Sequence, residues 1–197
     1  SEFFRQEYLA DFVTFQGSVY GELVAPQVLS ELEDFSRLKD LIPEWPALAS
    51  WRQIWVGIDT GADHPFGAVK VVSCEKGLVI VGEYLERNRS FVEHAHDIKQ
   101  LAGNPNTHYA INKNERQPTI ELAQPGIGIY CQGAENDQMA GVERVKSWLH
   151  AKQMWFVKER CPRTIDQMQT QRWADTDTKD GQRRKERLYK INDELAD

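Results

Sequence analysis

Three apolar stretches of strand length lie close together in the middle of the chain: 53–59, which ends Gly57-Ile58-Asp59, then 67–73, then 78–85. All are rich in Val and Ile, and the last two are joined by Glu75-Lys76-Gly77, which reads as a hairpin-type turn. Beyond them the period lengthens. Ser90 is placed to cap a helix whose buried stripe is Phe91, Ala95, Ile98 and Leu101 or Ala102. Residues 107–111 read as a fourth strand. A helix near Pro118, a strand at 127–131, a helix over 138–151 and a short strand at 154–157 follow. A further helix spans 161–173, with Ile165 and Met168 turned inward; 174–187 is polar and charged, and a last helix begins near Leu188 and is still running at Asp197.

Strands joined by tight turns pair antiparallel, whereas strands separated by helices are parallel crossovers. The order therefore predicts an α/β fold: a mixed sheet whose first three strands are antiparallel, with helices on both faces. In such a sheet the first and fourth strands can lie side by side and parallel, bringing Asp59 and Asn112 to the same end. The front of the chain differs. Phe4, Tyr8, Leu9 and Phe12 suggest a short helix over 3–13, Ser18-Val19-Tyr20 a short extended run, and an amphipathic piece runs from Pro26 to about Leu41 before Pro43 and Pro46. It is too short to bury a core by itself, so 1–49 reads as the tail of a preceding domain plus a linker, and 50–197 as the main domain.

Composition narrows the setting. The chain has 197 residues, 41% hydrophobic and 27% charged, and no apolar run long enough to span a bilayer, so no membrane partner is expected. The opening Ser1-Glu2-Phe3-Phe4-Arg5 lacks the basic-then-apolar layout of a secretory signal. Cys74, Cys131 and Cys161 are odd in number and lack zinc-like spacing, which predicts reduced thiols in a cytosolic setting. The net charge of −6 argues against an extended nucleic-acid grip and leaves room for one that is local, transient or supported by another domain.

The chemistry centres on acids. Asp59 ends an apolar strand, and the chain closes on a second acidic cluster, Asn192-Asp193-Glu194-Leu195-Ala196-Asp197. Carboxylates gathered at one point repel one another unless a divalent cation sits among them, and magnesium or manganese held in this way supports two-metal phosphodiester chemistry. The plainer alternatives are a turn former or helix cap at Asp59 and a solvated helix face at the terminus. Asp193 lies one helical turn before Asp197, on the same face. His94 and His96 fall on a helix face that reads as solvent-facing, and at a spacing of two they do not converge on a metal. Lys179, Arg183, Arg184, Lys185 and Arg187 concentrate positive charge just before the acidic helix, either as a solvated loop or as a hold on a phosphate backbone.

The layout resembles the ribonuclease-H-like fold, and more closely the nuclease domain of the large terminase subunit of tailed bacteriophages. The residues that carry the resemblance are Gly57-Ile58-Asp59-Thr60-Gly61, His64-Pro65-Phe66-Gly67-Ala68-Val69, Gly141-Val142 leading to Trp148-Leu149, the stretch 161–173, and the terminal Asn192 to Asp197. The similarity covers roughly residues 50–197, and the front segment looks like the end of that family's packaging ATPase. The resemblance implies a metal-dependent endonuclease that cuts concatemeric viral double-stranded DNA during genome packaging, in the cytoplasm of the infected host. It further implies two divalent ions (Mg2+ or Mn2+), with an ATPase domain of the same protein, the portal and the small terminase subunit as partners.

By matching motif, Asp59 and Asp197 are the metal ligands. Asp193 is a further ligand or a supporting group, and Asp63 either approaches a second metal or is a turn residue. The departure is at the fourth strand, where the family carries an acid and this chain reads Ile111-Asn112-Lys113-Asn114-Glu115. Either Asn112 ligates through its carbonyl oxygen, or Glu115 takes the catalytic place if the backbone curls back, or the site is altered. Two other functions stay open: a non-catalytic module that guides DNA or docks on the motor, and an actin-like nucleotide-hydrolysing domain suggested by Gly-Ile-Asp-Thr-Gly. Against the second, the glycines form no second phosphate loop and GxxxxGK[ST] is absent.

Overall fold

The computed structural model describes residues 18–48, 53–61, 65–135 and 137–173. The helix expected over 3–13 and the one expected from Leu188 lie outside the described residues.

The three Val- and Ile-rich stretches form β2 (Ile54–Asp59), β3 (Phe66–Cys74) and β4 (Gly77–Glu86), paired antiparallel in sequence. The β3–β4 turn depends on Gly77. Its φ is +144°, and a Cβ there would stand 2.0 Å from the Gln153 carbonyl oxygen, so only glycine fits. Helix α2 (Phe91–Ala102) starts on Ser90, whose side chain accepts from the Glu93 N–H while the Glu93 carboxylate accepts from the Ser90 N–H. It stops at Gly103 in the left-handed conformation (φ +61°). The chain then returns as β5 (His108–Asn112), which lies parallel to β2 with Ile58 opposite Ile111.

Helix α3 (Arg116–Leu122), strand β6 (Cys131–Ala134), helix α4 (Gln138–His150), strand β7 (Met154–Val157) and helix α5 (Pro162–Thr170) complete the main run. Ahead of it come strand β1 (Val28–Leu29) and helix α1 (Phe35–Leu41). The described strands form one seven-stranded sheet in the order β1-β7-β4-β3-β2-β5-β6. The β4-β3-β2-β5-β6 portion has the ribonuclease-H-like layout expected from the sequence, and β7 and β1 extend it in parallel beyond β4.

Alternation along β2 and β4 sends apolar residues to two faces. On one face, Val56, Ile58, Phe66, Ala95, Ile98 and Ile111 bury the sheet beneath α2. Beside them, Leu29, Leu38, Ile42, Trp45, Val79 and Trp155 pack the front of the chain and α1 onto the same sheet. On the other, Ile80, Val142, Leu149, Phe156, Ile165 and Met168 pack α4 and α5. Residues 18–48 therefore supply an edge strand and part of this core, with Arg160 stacked over Trp45 at 4.5 Å and hydrogen-bonded to Glu31.

Three expectations change. The amphipathic piece from Pro26 to Leu41 is instead a 3-10 turn (Ala25–Gln27), the two-residue β1 and the seven-residue α1. The strand expected at 127–131 begins only at Cys131. Gly128 takes φ +65° and the Ile129 N–H bonds to the Leu122 carbonyl, so this apolar run closes a loop over α3. His94 is not solvent-facing. It is buried, stacked on Phe66 at 4.4 Å, with its Nδ1 2.7 Å from the Tyr84 hydroxyl.

Candidate active site

Strands β2, β4, β5, β6 and β7 all run toward one end of the sheet, the end at which Asp59 and Asn112 lie. Ile58 and Ile111 are paired and buried, so the next residues along the two parallel strands, Asp59 and Asn112, emerge on the opposite face. Both are exposed. Gly57, two residues before Asp59 on that face, is also exposed, and a Cβ at its position would meet nothing within 4 Å. The surface beside Asp59 is therefore an open floor.

Local turns orient the polar groups. One Asp59 oxygen, Oδ1, accepts the Gly61 N–H at 3.2 Å, which holds the carboxylate at the strand end. After β5 the chain curls back at once. The Asn112 carbonyl accepts the Glu115 N–H at 2.9 Å and the Asn112 side-chain oxygen accepts the Asn114 N–H at 2.9 Å. This turn returns Glu115 to the mouth of β2, where its Oε2 accepts the Thr60 hydroxyl at 3.1 Å. Glu115 is half-buried there, immediately before α3.

The structure thus brings Asp59, Asn112 and Glu115 to one end of the sheet. The Asn112 oxygen is already engaged in its own turn, whereas Glu115 offers a carboxylate and keeps an oxygen beyond the Thr60 bond. Carboxylate oxygens such as those of Asp59, at the end of β2, and Glu115, in the turn after β5, are hard donors of the kind that suit Mg2+ or Mn2+. Among the described residues, no three His, Cys, Asp or Glu side chains gather closely enough to hold a metal. Asp63, Asp193 and Asp197, and the cations Lys179, Arg183, Arg184, Lys185 and Arg187, lie outside the described residues.

Sequence reasoning missed the support behind the site. His94 stacks on Phe66, the first residue of β3, directly across the sheet from the Asp59 end. Burial lowers the His94 pKa, with the Arg89 charge adding to the effect, while burial and Asp97 raise the pKa of Tyr84. The signal was present: His94 lies three residues after Phe91 and four before Ile98, beside the apolar stripe. Glu83 was also missed. It accepts the Arg163 N–H, the Thr164 N–H and the Thr164 hydroxyl, fastening the start of α5 to β4. No helix among the described residues is long and apolar enough to cross a membrane.

Comparison with known proteins supports the architecture. The large terminase of a thermophilic bacteriophage has a TM-score of 0.67 at 17% identity, over 97% of this chain and 46% of that one. The nuclease domain of the bacteriophage SPP1 large terminase, solved with bound Mn, gives a TM-score of 0.59 at 15% identity, over 76% of this chain and 84% of that one. The P22 large terminase nuclease domain gives 0.59 at 11% identity, over 73% and 76%. At these identities the likeness shows the fold, and the chain spans less than half the length of the thermophilic phage protein. No curated protein matches the chain. The family model described as Terminase RNaseH-like domain matches residues 56–186, well over half of the chain. The chain therefore belongs to the terminase RNase H-like domain family.

Proposed function

We propose that this domain is a metal-dependent endonuclease that cuts double-stranded viral DNA during genome packaging. The observation that carries the reading is the turn after β5 that bonds Glu115 to Thr60, the residue next to Asp59 at the end of β2, beside a surface left open at Gly57. The solved SPP1 nuclease domain with bound Mn supports divalent-ion use on this fold.

In this reading Asp59 and Glu115 hold divalent ions together with Asp197, while Asp193 and Asp63 are further candidate ligands. Bound there, two such ions would supply the polarisation that activates water toward a phosphodiester and stabilises the departing oxygen. The chain's own part is placement. The Gly61 N–H fixes one oxygen of Asp59, Thr60 fixes Glu115, and the bare surface at Gly57 leaves room for a backbone phosphate. Lys179, Arg183, Arg184, Lys185 and Arg187 would hold flanking phosphates and offset the net charge of −6 locally. The domain division, with 1–49 as the tail of a preceding ATPase domain plus a linker and 50–197 as the nuclease, and the ATPase, portal and small-subunit partners, belong to the same proposal.

Glu115→Gln, Asn112→Ala and Asp197→Asn, compared in a metal-dependent plasmid-cleavage assay, test the ligand set. Loss of cleavage in the first and third with retention in the second is expected. Normal cutting by Glu115→Gln would return the fourth-strand role to Asn112 or to an altered site.

A further inference from the structure

The row of residues crossing the sheet from Asp59 leads to a second feature. Asp59 pairs with Gly67, and Gly67 pairs with Leu85, so the three lie side by side on β2, β3 and β4. All three face the α5 side, because their neighbours Ile58 and Ala68 are buried against α2 and Tyr84 packs there too. Gly67, at the middle position, is buried and carries no side chain of its own. At Leu85 an open cleft of about 400 Å³ begins, lined by Pro65, Leu85, Arg87, Pro162, Arg163, Asp166 and Gln167.

Resting on the nuclease reading of Asp59, we propose that this cleft is a docking site for a phosphate of the DNA backbone, with Arg87 and Arg163 as its cations. Both arginines are exposed, and they line the cleft together with one carboxylate, Asp166. Arg163 is held in place rather than free to sweep through solvent: its Nη1 donates to the Leu85 carbonyl at 2.8 Å and its backbone N–H to Glu83 at 3.0 Å. A guanidinium fixed through one nitrogen keeps other N–H groups for phosphate oxygens in a set geometry. Glu83 does not compete for those groups, since its oxygens accept three hydrogen bonds from the first turn of α5.

The separation suits this role. Strands in a sheet lie about 4.8 Å apart, so two spacings place Leu85 about 10 Å from Asp59. That matches the axial rise of about three nucleotides of one DNA strand at roughly 3.4 Å each. The cleft would hold the backbone on the flank of Asp59 away from Glu115 and set the register of the scissile bond. Such contacts position the duplex and read no bases.

The test is binding of a short labelled duplex to the whole chain in EDTA, titrated over a series of salt concentrations, so that no step depends on cutting. The pair R87Q/R163Q is expected to weaken binding of unrelated sequences equally and to reduce the slope of log K against log salt by about 0.9 for each phosphate no longer neutralised. Because Arg163 also holds β4, Asp166→Asn supplies an independent arm: removing the one negative charge of the lining should tighten binding, which a purely structural role would not do. Parent-like affinity and slope in both variants would overturn the proposal. A chain that binds through the cleft yet never cuts DNA would sink the nuclease reading and leave the cleft standing. Normal cutting with no dependence on Arg87, Arg163 or Asp166 would do the reverse.

Discussion

Thr60 donates its hydroxyl to the Glu115 carboxylate at 3.1 Å, joining residues 55 positions apart in the chain and fixing an acid beside the strand that carries Asp59. The bond gives the fourth-strand turn a reason for its shape, since the same curl that engages Asn112 in its own turn presents Glu115 to Thr60.

If Glu115 is a metal ligand, Thr60 orients it. Removing a group that orients a ligand commonly costs about 10- to 100-fold in metal affinity or activity. Thr60→Val should therefore weaken manganese binding by calorimetry and slow cleavage within that range, while Thr60→Ser stays near the parent. Equal manganese affinity in Thr60→Val and the parent would remove Glu115 from the site.

His94 gives the fold a pH dependence. Its folded pKa is lowered by burial, so the unfolded chain binds the proton more readily. Stability is full above the ordinary histidine value of about 6.5 and falls as pH drops through it toward the folded value. Denaturant melts between pH 8 and 5 should show this loss, and His94→Phe, which keeps an aromatic ring on Phe66, should lack that part of the slope.

Glu83 fastens α5 to β4 through three hydrogen bonds. Glu83→Ala leaves two backbone N–H groups of the first helical turn without their acceptor and should cost about 1–2 kcal/mol, the scale of a lost N-cap. A lowered midpoint in urea with an unchanged m value is the expected result.

At Gly77 the obstacle is backbone. With φ at +144° and the Gln153 oxygen 2.0 Å from the position of a Cβ, Gly77→Ala must shift the β3–β4 turn or the entry to β7. A loss of at least about 1–3 kcal/mol is expected, the scale of a residue forced into such a conformation. A thermal melt matching the parent would contradict the assignment of this turn.

Much of this was legible in the sequence because the core is periodic. The Val- and Ile-rich runs gave β2, β3 and β4 within a residue or so of their bounds, and Ser90 marked the start of α2. The mixed sheet and the meeting of Asp59 and Asn112 followed from connection lengths alone. Features set by tertiary pairing were not legible. The strand Val28–Leu29 is two residues long and carries no period; it exists because β7 offers it an edge. Ile127 and Ile129 looked like strand residues, yet their apolar character serves a loop packed on α3. At the site, the bond from Thr60 to Glu115 depends on a turn geometry that no spacing announces, and the arginine cleft joins β4 to a helix begun about 80 residues later.

The most direct measurement is cleavage of a supercoiled plasmid with manganese, magnesium or EDTA, comparing the parent chain with Asp59→Ala. Nicking and linearisation that need a divalent ion, and that vanish in the variant while its thermal melt is retained, are expected. Metal-dependent cutting by Asp59→Ala at the parent's rate would contradict the placement of the active site at the end of β2.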